Sequence, residues 1–170
     1  ATDDASSTLV PDGSVSFAHV LWQVCQRGKI NLLELFAGSA RISQCSAQAN
    51  LAVGQPVDLR TGFDLNTHKG QQMAMQMITD QQPDVVFMAP VCAPWCNWSH
   101  MKPYEQKMAD REKVMPMVQF VIRVAKYQLS QGRYFIIENP NGSDLWKLKQ
   151  FVDLLLRSDV SYGSLDMCAY

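Results

Sequence analysis

The chain has 170 residues, which suits one compact domain, and 47% of them are hydrophobic, enough for a sizeable core. Its formal net charge of −1 gives no bulk signature of nucleic-acid binding, so phosphate contacts would need a local basic face or another segment. The five scattered cysteines argue against a disulfide-stapled secreted scaffold, and no apolar run approaches the ~18 residues of a membrane span, so we predict an intracellular protein with no membrane partner.

The N-terminal part divides into a lead-in and a helix. Residues 1–13 are polar and contain a Pro-Asp-Gly turn, which predicts a flexible lead-in. Ser14 can cap a helix over about 15–27, which Gly28 ends. The apolar residues on one side of this helix are Val15, Ala18, Leu21, Trp22 and Cys25. We expect residues 14–170 to form one domain, cut from a longer protein.

Short apolar runs then alternate with helical patterns. The run 30–35 is followed by the turn FAGSA and a helix to about Asn50; the run 51–57 is followed by a turn-rich joint and a helix at 70–80. The second half continues with strands over 84–89 and 133–138, helices over 105–131 and 143–157, and a last strand over 161–170. The long helix either tolerates Pro116 or kinks there. This alternation predicts an α/β fold with a Rossmann-like, doubly wound, mostly parallel sheet.

In such a sheet, ligands bind at the carboxyl ends of the strands. Small, acidic or reactive residues follow the apolar runs, namely Gly38, Asp58, Cys92 and Glu138, and Asp64 follows the turn-rich joint. Asp58 could accept hydrogen bonds from ribose hydroxyls, and Asp64 from an adenine amino group. The glycine turn is neither GxGxxG nor a P-loop, which disfavours a phosphate cradle and leaves a tight structural turn as the alternative.

Three motifs resemble those of the cytosine-5 DNA methyltransferase family. ELFAGSAR resembles the cofactor motif DLFAGxGG, MAPVCAPWC resembles the catalytic loop GxPCQPFS, and IIENPN resembles the motif ENV, in the same order and at similar spacing. The likeness covers roughly residues 15–170, the front of the family's catalytic domain. It implies a class I methyltransferase sheet truncated at its C-terminus. The chain is also similar to divergent methyltransferase-like segments of retroelement polyproteins.

The resemblance implies S-adenosyl-L-methionine as the cofactor and transfer of its methyl group to carbon 5 of cytosine. Cys92 would be the nucleophile on carbon 6, Glu138 would stabilise the base at ring nitrogen 3, and Asn139 would hold the loop and Glu138 in place. The target base would flip out of the duplex. The residues implied to contact the cofactor are Phe36, Ala37, Gly38, Ser39, Asp58, Asp64 and Pro90. The implied partners are DNA rather than RNA and further domains of the parent chain, in the nucleus.

Residues near the cysteine loop have two interpretations each. Trp95 could stack on a base or pack the loop against the long helix. Lys102 and Arg111 could meet phosphates or belong to a solvated helix face. The series Cys92, Cys96 and His100 has an atypical spacing for zinc and no fourth ligand, so we predict no metal site.

Two other functions remain open. Val91, Ala93 and Pro140 replace residues of the family motifs, which leaves room for a catalytically inactive binding or scaffold module of a polyprotein. Methylation of an exocyclic amine of a nucleic acid is the other alternative, and that chemistry needs no thiol.

Overall fold

The computed structural model describes residues 30–96 and 101–164. In chain order these form β1 (Leu32–Leu35), α1 (Arg41–Gln48), α2 (His68–Gln81), β2 (Val85–Met88), α3 (Tyr104–Ser130), β3 (Tyr134–Ile137) and α4 (Lys149–Leu155). Two short 3-10 helices cover Leu59–Thr61 and Asp144–Lys147. The lead-in over 1–13 and the helix predicted over 15–27 lie outside the described residues.

The sheet has the strand order β1-β2-β3, and both pairs are parallel. Its register aligns Leu32 with Val85 and Val85 with Tyr134. Parallel neighbours need long crossovers, which helices supply here, as expected for βαβ units. The prediction of an α/β fold with a parallel sheet is confirmed.

The run 51–57 was predicted to be a strand, but it meets β1 only at the isolated bridges Leu32–Val53 and Leu35–Val57. Pro56 lacks the N–H that a ladder requires. Gly54 is held so close to the core that an added Cβ would lie 2.6 Å from the Ile30 side chain. The run therefore lies alongside β1 as an irregular segment at the edge of the sheet.

The helix predicted over 143–157 is broken. Leu148, with φ −66° and ψ 136°, separates the 3-10 helix from α4. Leu145 and Phe151 are both fully buried. In a continuous α-helix, residues six positions apart point about 120° away from each other, and the break at Leu148 lets both side chains turn into the core. The strand predicted over 161–170 is not seen in 161–164, and 165–170 lie outside the described residues.

Helices cover the two faces of the sheet unequally. Leu33, Leu35, Val86 and Met88 point into the main core, together with the half of α3 that follows Pro116. On the other face, Ala47 of α1 packs with Leu32 and Val53. The long helix continues through Pro116, which it tolerates.

The chain changes direction across β1. The 51–57 run lies on one side of β1, and β2 lies on the other. The loops that leave the carboxyl ends of β1 and β2 therefore diverge. Such a switch point opens a crevice between the two loops, the usual ligand position in open parallel sheets.

Candidate functional site

The turn after β1 is conformationally unusual. Phe36, Gly38 and Ala40 have φ values of 59°, 53° and 54°, while the residues between them do not have positive φ. The amides of Ala37 and Ala40 donate to backbone oxygens within the protein. Positive φ at Phe36 and Ala40 costs on the order of 1 kcal/mol each and must be stabilised by the surroundings. A Cβ added at Gly38 would meet no atom of the described residues within 4 Å, so they leave the space in front of the turn open.

Glu34, in β1, stabilises the start of the helix that follows this turn. Its carboxylate is buried and accepts hydrogen bonds from the Ser43 amide, at 2.7 Å, and from the Ser43 hydroxyl, at 2.6 Å. A buried carboxylate needs such partners to offset its desolvation. The bonds fix the first turn of α1 against β1. The role of Ser43 escaped the sequence analysis, although an acidic residue inside an apolar strand signals that a partner exists.

Asp58 lies beside the turn, because Val57 bridges to the last residue of β1. Its Oδ2 accepts a hydrogen bond from the Gly38 amide, and its Oδ1 accepts one from the Arg60 amide, both at 3.0 Å. A carboxylate has about four acceptor positions. Asp58 can therefore accept two further hydrogen bonds, for example from a diol, while still holding the turn.

Asp64 occupies a separate turn and is exposed. Its Oδ1 accepts from the Asn66 amide at 3.0 Å, and its backbone oxygen accepts from the Thr67 hydroxyl at 2.7 Å. Gly70 packs against it so closely that an added Cβ would lie 2.0 Å from the Asp64 backbone oxygen.

The Asp64 turn is fastened to α3 near its proline. Asn66 Nδ2 donates to the Lys113 oxygen at 2.7 Å, and Gln71 Nε2 donates to the Pro116 oxygen at 3.1 Å. Asp64 is therefore positioned by α3 as well as by the sheet. Among the described residues, no hydrogen bond joins it to Gly38 or Asp58.

The loop after β2 forms one helical turn around Cys92. The amides of Trp95 and Cys96 donate to the Cys92 oxygen at 2.9 and 3.0 Å. Pro90 and Pro94 are buried, and Cys92 is half-buried. Cys92 is a free thiol. The turn presents it at the carboxyl end of the central strand.

The loop after β3 lies directly beside the cysteine loop. The Glu138 amide donates to the Met88 oxygen at 2.9 Å, and Asn139 Nδ2 donates to the Pro90 oxygen at 2.9 Å. Asn139 is buried, and its Oδ1 finds no hydrogen-bond partner among residues 30–96 and 101–164. Glu138 is exposed. The structure thus brings the loops of Cys92 and Glu138 together through their backbones.

Asp144 joins these loops to α3. Its amide donates to the Trp95 oxygen at 2.8 Å, and its carboxylate bonds Arg111 and, at 2.8 Å, Lys147. The ammonium of Lys107 lies 3.5 Å away. Hydrogen bonds from Lys147 and Arg111 hold the pKa of the Asp144 carboxyl well below its ordinary value. Asp144 lies in the first turn of the 3-10 helix, and Ser143 caps that helix by accepting from the Leu145 amide.

The predicted contacts of Trp95 and Arg111 with nucleic acid do not fit their positions in the structure. Trp95 is 1% exposed, so stacking on a base is not available in this arrangement, and packing of the loop against the long helix is what occurs. The Arg111 guanidinium lies 4.9 Å from the Trp95 ring centre, and its Nε donates to the Pro94 oxygen at 3.0 Å. Arg111 is thus occupied by internal contacts rather than presented to phosphate. Lys102 is exposed but pairs with Asp110 at 2.6 Å, which lowers the pKa of that carboxyl.

Other surfaces of the described part carry fewer features of a binding site. Within residues 30–96 and 101–164, no three His, Cys, Asp or Glu side chains converge as metal ligands, and His100 lies outside this part. A shallow groove of about 510 Å³ opens beside Asp84, Arg133 and Tyr134, at the opposite edge of the sheet from the predicted site residues. None of the helices in the described part is long and apolar enough to cross a bilayer.

Comparison of the chain with protein-family models, with curated proteins and with solved structures finds no match. The interpretation of the site therefore depends on its own geometry and chemistry.

Proposed function

We propose that the carboxyl edge of the sheet binds S-adenosyl-L-methionine and that the domain transfers its methyl group to carbon 5 of cytosine in DNA. The observation that carries the proposal is the switch point between β1 and β2. The Gly38–Asp58 pair lies on one side of this crevice, and the joined loops of Cys92 and Asn139 lie on the other. We further propose that the sheet is the core of a Rossmann-like, doubly wound domain of a nuclear protein.

The residues at β1 fit the cofactor. The open space at Gly38 lets a ligand approach the backbone, and Asp58 retains acceptor positions for the two ribose hydroxyls. Phe36, Ala37 and Ser39 would line the same turn, Asp64 would accept from the adenine amino group, and Pro90 would border the methyl-donating end. When bound, the cofactor supplies an electrophilic methyl group.

The second half of the site would act on the base. The Cys92 thiolate would form a bond to carbon 6, which moves an electron pair onto carbon 5 for attack on the methyl group. The methyl donor would leave as the neutral thioether S-adenosyl-L-homocysteine. Solvent would then take the proton on carbon 5 as the bond between Cys92 and carbon 6 breaks, which returns the thiolate and restores the ring. Glu138, exposed directly after β3, would hydrogen-bond ring nitrogen 3. Asn139 would keep the two loops at a fixed separation.

Two experiments test this function. Calorimetry of the chain with S-adenosyl-L-methionine should give saturable binding, and no heat at millimolar cofactor would rule out the proposed site. A duplex containing 5-fluorocytosine should form a covalent adduct with the chain in the presence of the cofactor, and Cys92→Ser should abolish the adduct, with Cys96→Ser as the matched control. Methyl transfer that survives Cys92→Ala would instead indicate an exocyclic-amine target.

One observation favours a second candidate, an inactive binding or scaffold module. Trp95 and Arg111 are used in internal packing, and Lys102 is paired, so all three predicted nucleic-acid contacts have partners within the protein. This candidate predicts cofactor binding without an adduct. Adduct formation would exclude it.

A further inference from the structure

One face of the sheet carries an apolar patch that the described helices leave open. Val85 and Phe87 of β2 are partly buried, and Tyr134 and Ile136 of β3 are 72% and 49% exposed. The register places Val85 beside Tyr134 and Phe87 beside Ile136, so the four side chains are contiguous. We call these four residues the open patch.

A parallel sheet is normally covered on both faces. On this face, α1 packs through Ala47 over Leu32 and Val53, at the β1 side. Val85 and Phe87 border this cluster on one side only, so the opening is widest over β3. Neighbouring strands lie about 4.8 Å apart, and packed helices lie about 10 Å apart. A second helix beside α1 would therefore lie about two strands away, over β2 and β3. The open patch has the position and width of one missing helix.

We propose that residues 14–27 of this chain form that helix and cover the open patch. Residues 14–26 contain no Asp, Glu, Lys or Arg. Phe17, Val20 and Val24 add an apolar surface next to the predicted apolar side of the helix. A segment with so little charge is poorly suited to remain in water. At 1.5 Å per residue, it would span about 20 Å, longer than the roughly 13 Å of a four-residue strand.

The attachment point fits this placement. Only Gly28 and Lys29 separate the segment from Ile30, whose amide donates to the Gln81 oxygen at 3.2 Å and whose oxygen accepts from the Asp84 amide at 3.1 Å. The chain thus enters at the amino edge of the sheet, next to the start of β2. The end of the segment near Cys25 would lie at that edge, by Val85 and Tyr134. This proposal does not depend on the proposed function.

Disulfide trapping in the full chain tests the placement. Cys45, Cys92, Cys96 and Cys168 are replaced by Ser, which leaves Cys25, and Tyr134→Cys is added. Mild oxidation with copper phenanthroline should link the two thiols within one chain, identified by mass spectrometry of the joined peptides. The matched control is Leu156→Cys in the same background, since Leu156 is 79% exposed at the end of α4. Linking should be at least tenfold faster for Tyr134→Cys.

Equal linking rates for the two variants would overturn the proposal, and a disulfide between two chains would assign the patch to a second copy instead. A second measurement tests the placement in case the cysteine variants fold poorly. Leu21→Asp and Ile136→Asp should each lower the Tm by about 4 °C or more. The Tm of the double variant should not fall below that of the less stable single variant, because both substitutions disrupt the same contact. Fully additive losses would overturn the proposal as well.

Discussion

Asn139 donates a hydrogen bond from Nδ2 to the backbone oxygen of Pro90, at 2.9 Å, and thereby ties the end of β3 to the loop that carries Cys92. The two residues are 49 positions apart in sequence. Asn139 is buried, so the bond forms in an environment of low dielectric constant, where it is stronger than in water. The loops on the carboxyl edge therefore behave as one unit.

Replacement of Asn139 should loosen this unit. Asn139→Ala leaves the Pro90 oxygen without its donor, and we expect the free energy of unfolding to fall by about 1–2 kcal/mol. Urea denaturation measures this loss. We also expect faster alkylation of Cys92 by iodoacetamide, because the loop can open more often. The control is Asn141→Ala, at an exposed position in the same turn. Equal stability of the two variants would contradict the role of the bond.

The Asp144 cluster should make stability depend on acid pH. Lys147 and Arg111 lower the pKa of the Asp144 carboxyl in the folded chain from its ordinary value of 3.8. A carboxyl with a lowered folded pKa stabilises the fold above its unfolded pKa, and this contribution is lost as the pH falls through the folded pKa. The difference in unfolding free energy between the native chain and Asp144→Asn should be constant above about pH 5 and should shrink below the unfolded pKa.

Thermal unfolding between pH 2 and 7 measures this difference. Asp159→Asn is the matched control, since the Arg157–Asp159 pair is exposed and exposed ion pairs contribute little to stability. A difference for Asp144→Asn that stays unchanged down to pH 2 would show that the cluster does not stabilise the fold through its charge.

Several features of this site follow from local sequence and strand order. Apolar runs such as 84–89 identify buried strands, and the position of Asp58 after such a run places it at the edge of the sheet where Gly38 lies. These predictions need only the period of the pattern and the geometry of parallel sheets.

Other features depend on tertiary contacts. Burial of Trp95 depends on Arg111 and Asp144, which are 16 and 49 positions away, and nothing in the loop sequence distinguishes a packed tryptophan from an exposed one. The break at Leu148 likewise accompanies burial of Leu145 and Phe151 in the same core. Such outcomes are decided by packing between elements rather than by local propensity.

Gly70 should tolerate no side chain, although it lies inside α2. Alanine normally stabilises a helix interior by up to about 1 kcal/mol relative to glycine. Here the new Cβ would lie 2.0 Å from the Asp64 backbone oxygen. We expect Gly70→Ala to lower the free energy of unfolding by about 2–3 kcal/mol, because the Asp64 turn must move. Urea denaturation measures the change. Gly163→Ala, where a Cβ meets nothing within 4 Å, should be neutral, and a stabilised Gly70→Ala would contradict the close packing.

Asp58 should carry a large part of the affinity for the cofactor. Asp58→Asn removes the carboxylate charge that would strengthen the hydrogen bonds from the ribose hydroxyls. Loss of one charged hydrogen bond of about 1.5 kcal/mol weakens binding roughly tenfold. We therefore expect the Kd for S-adenosyl-L-methionine, measured by calorimetry, to rise at least tenfold. Asp153→Asn, an exposed carboxylate paired with Lys149, is the control and should leave the Kd unchanged. Because Asp58 also accepts from the Gly38 amide, the Tm of both variants is measured alongside. An unchanged Kd for a folded Asp58→Asn would show that the cofactor does not bind at this turn.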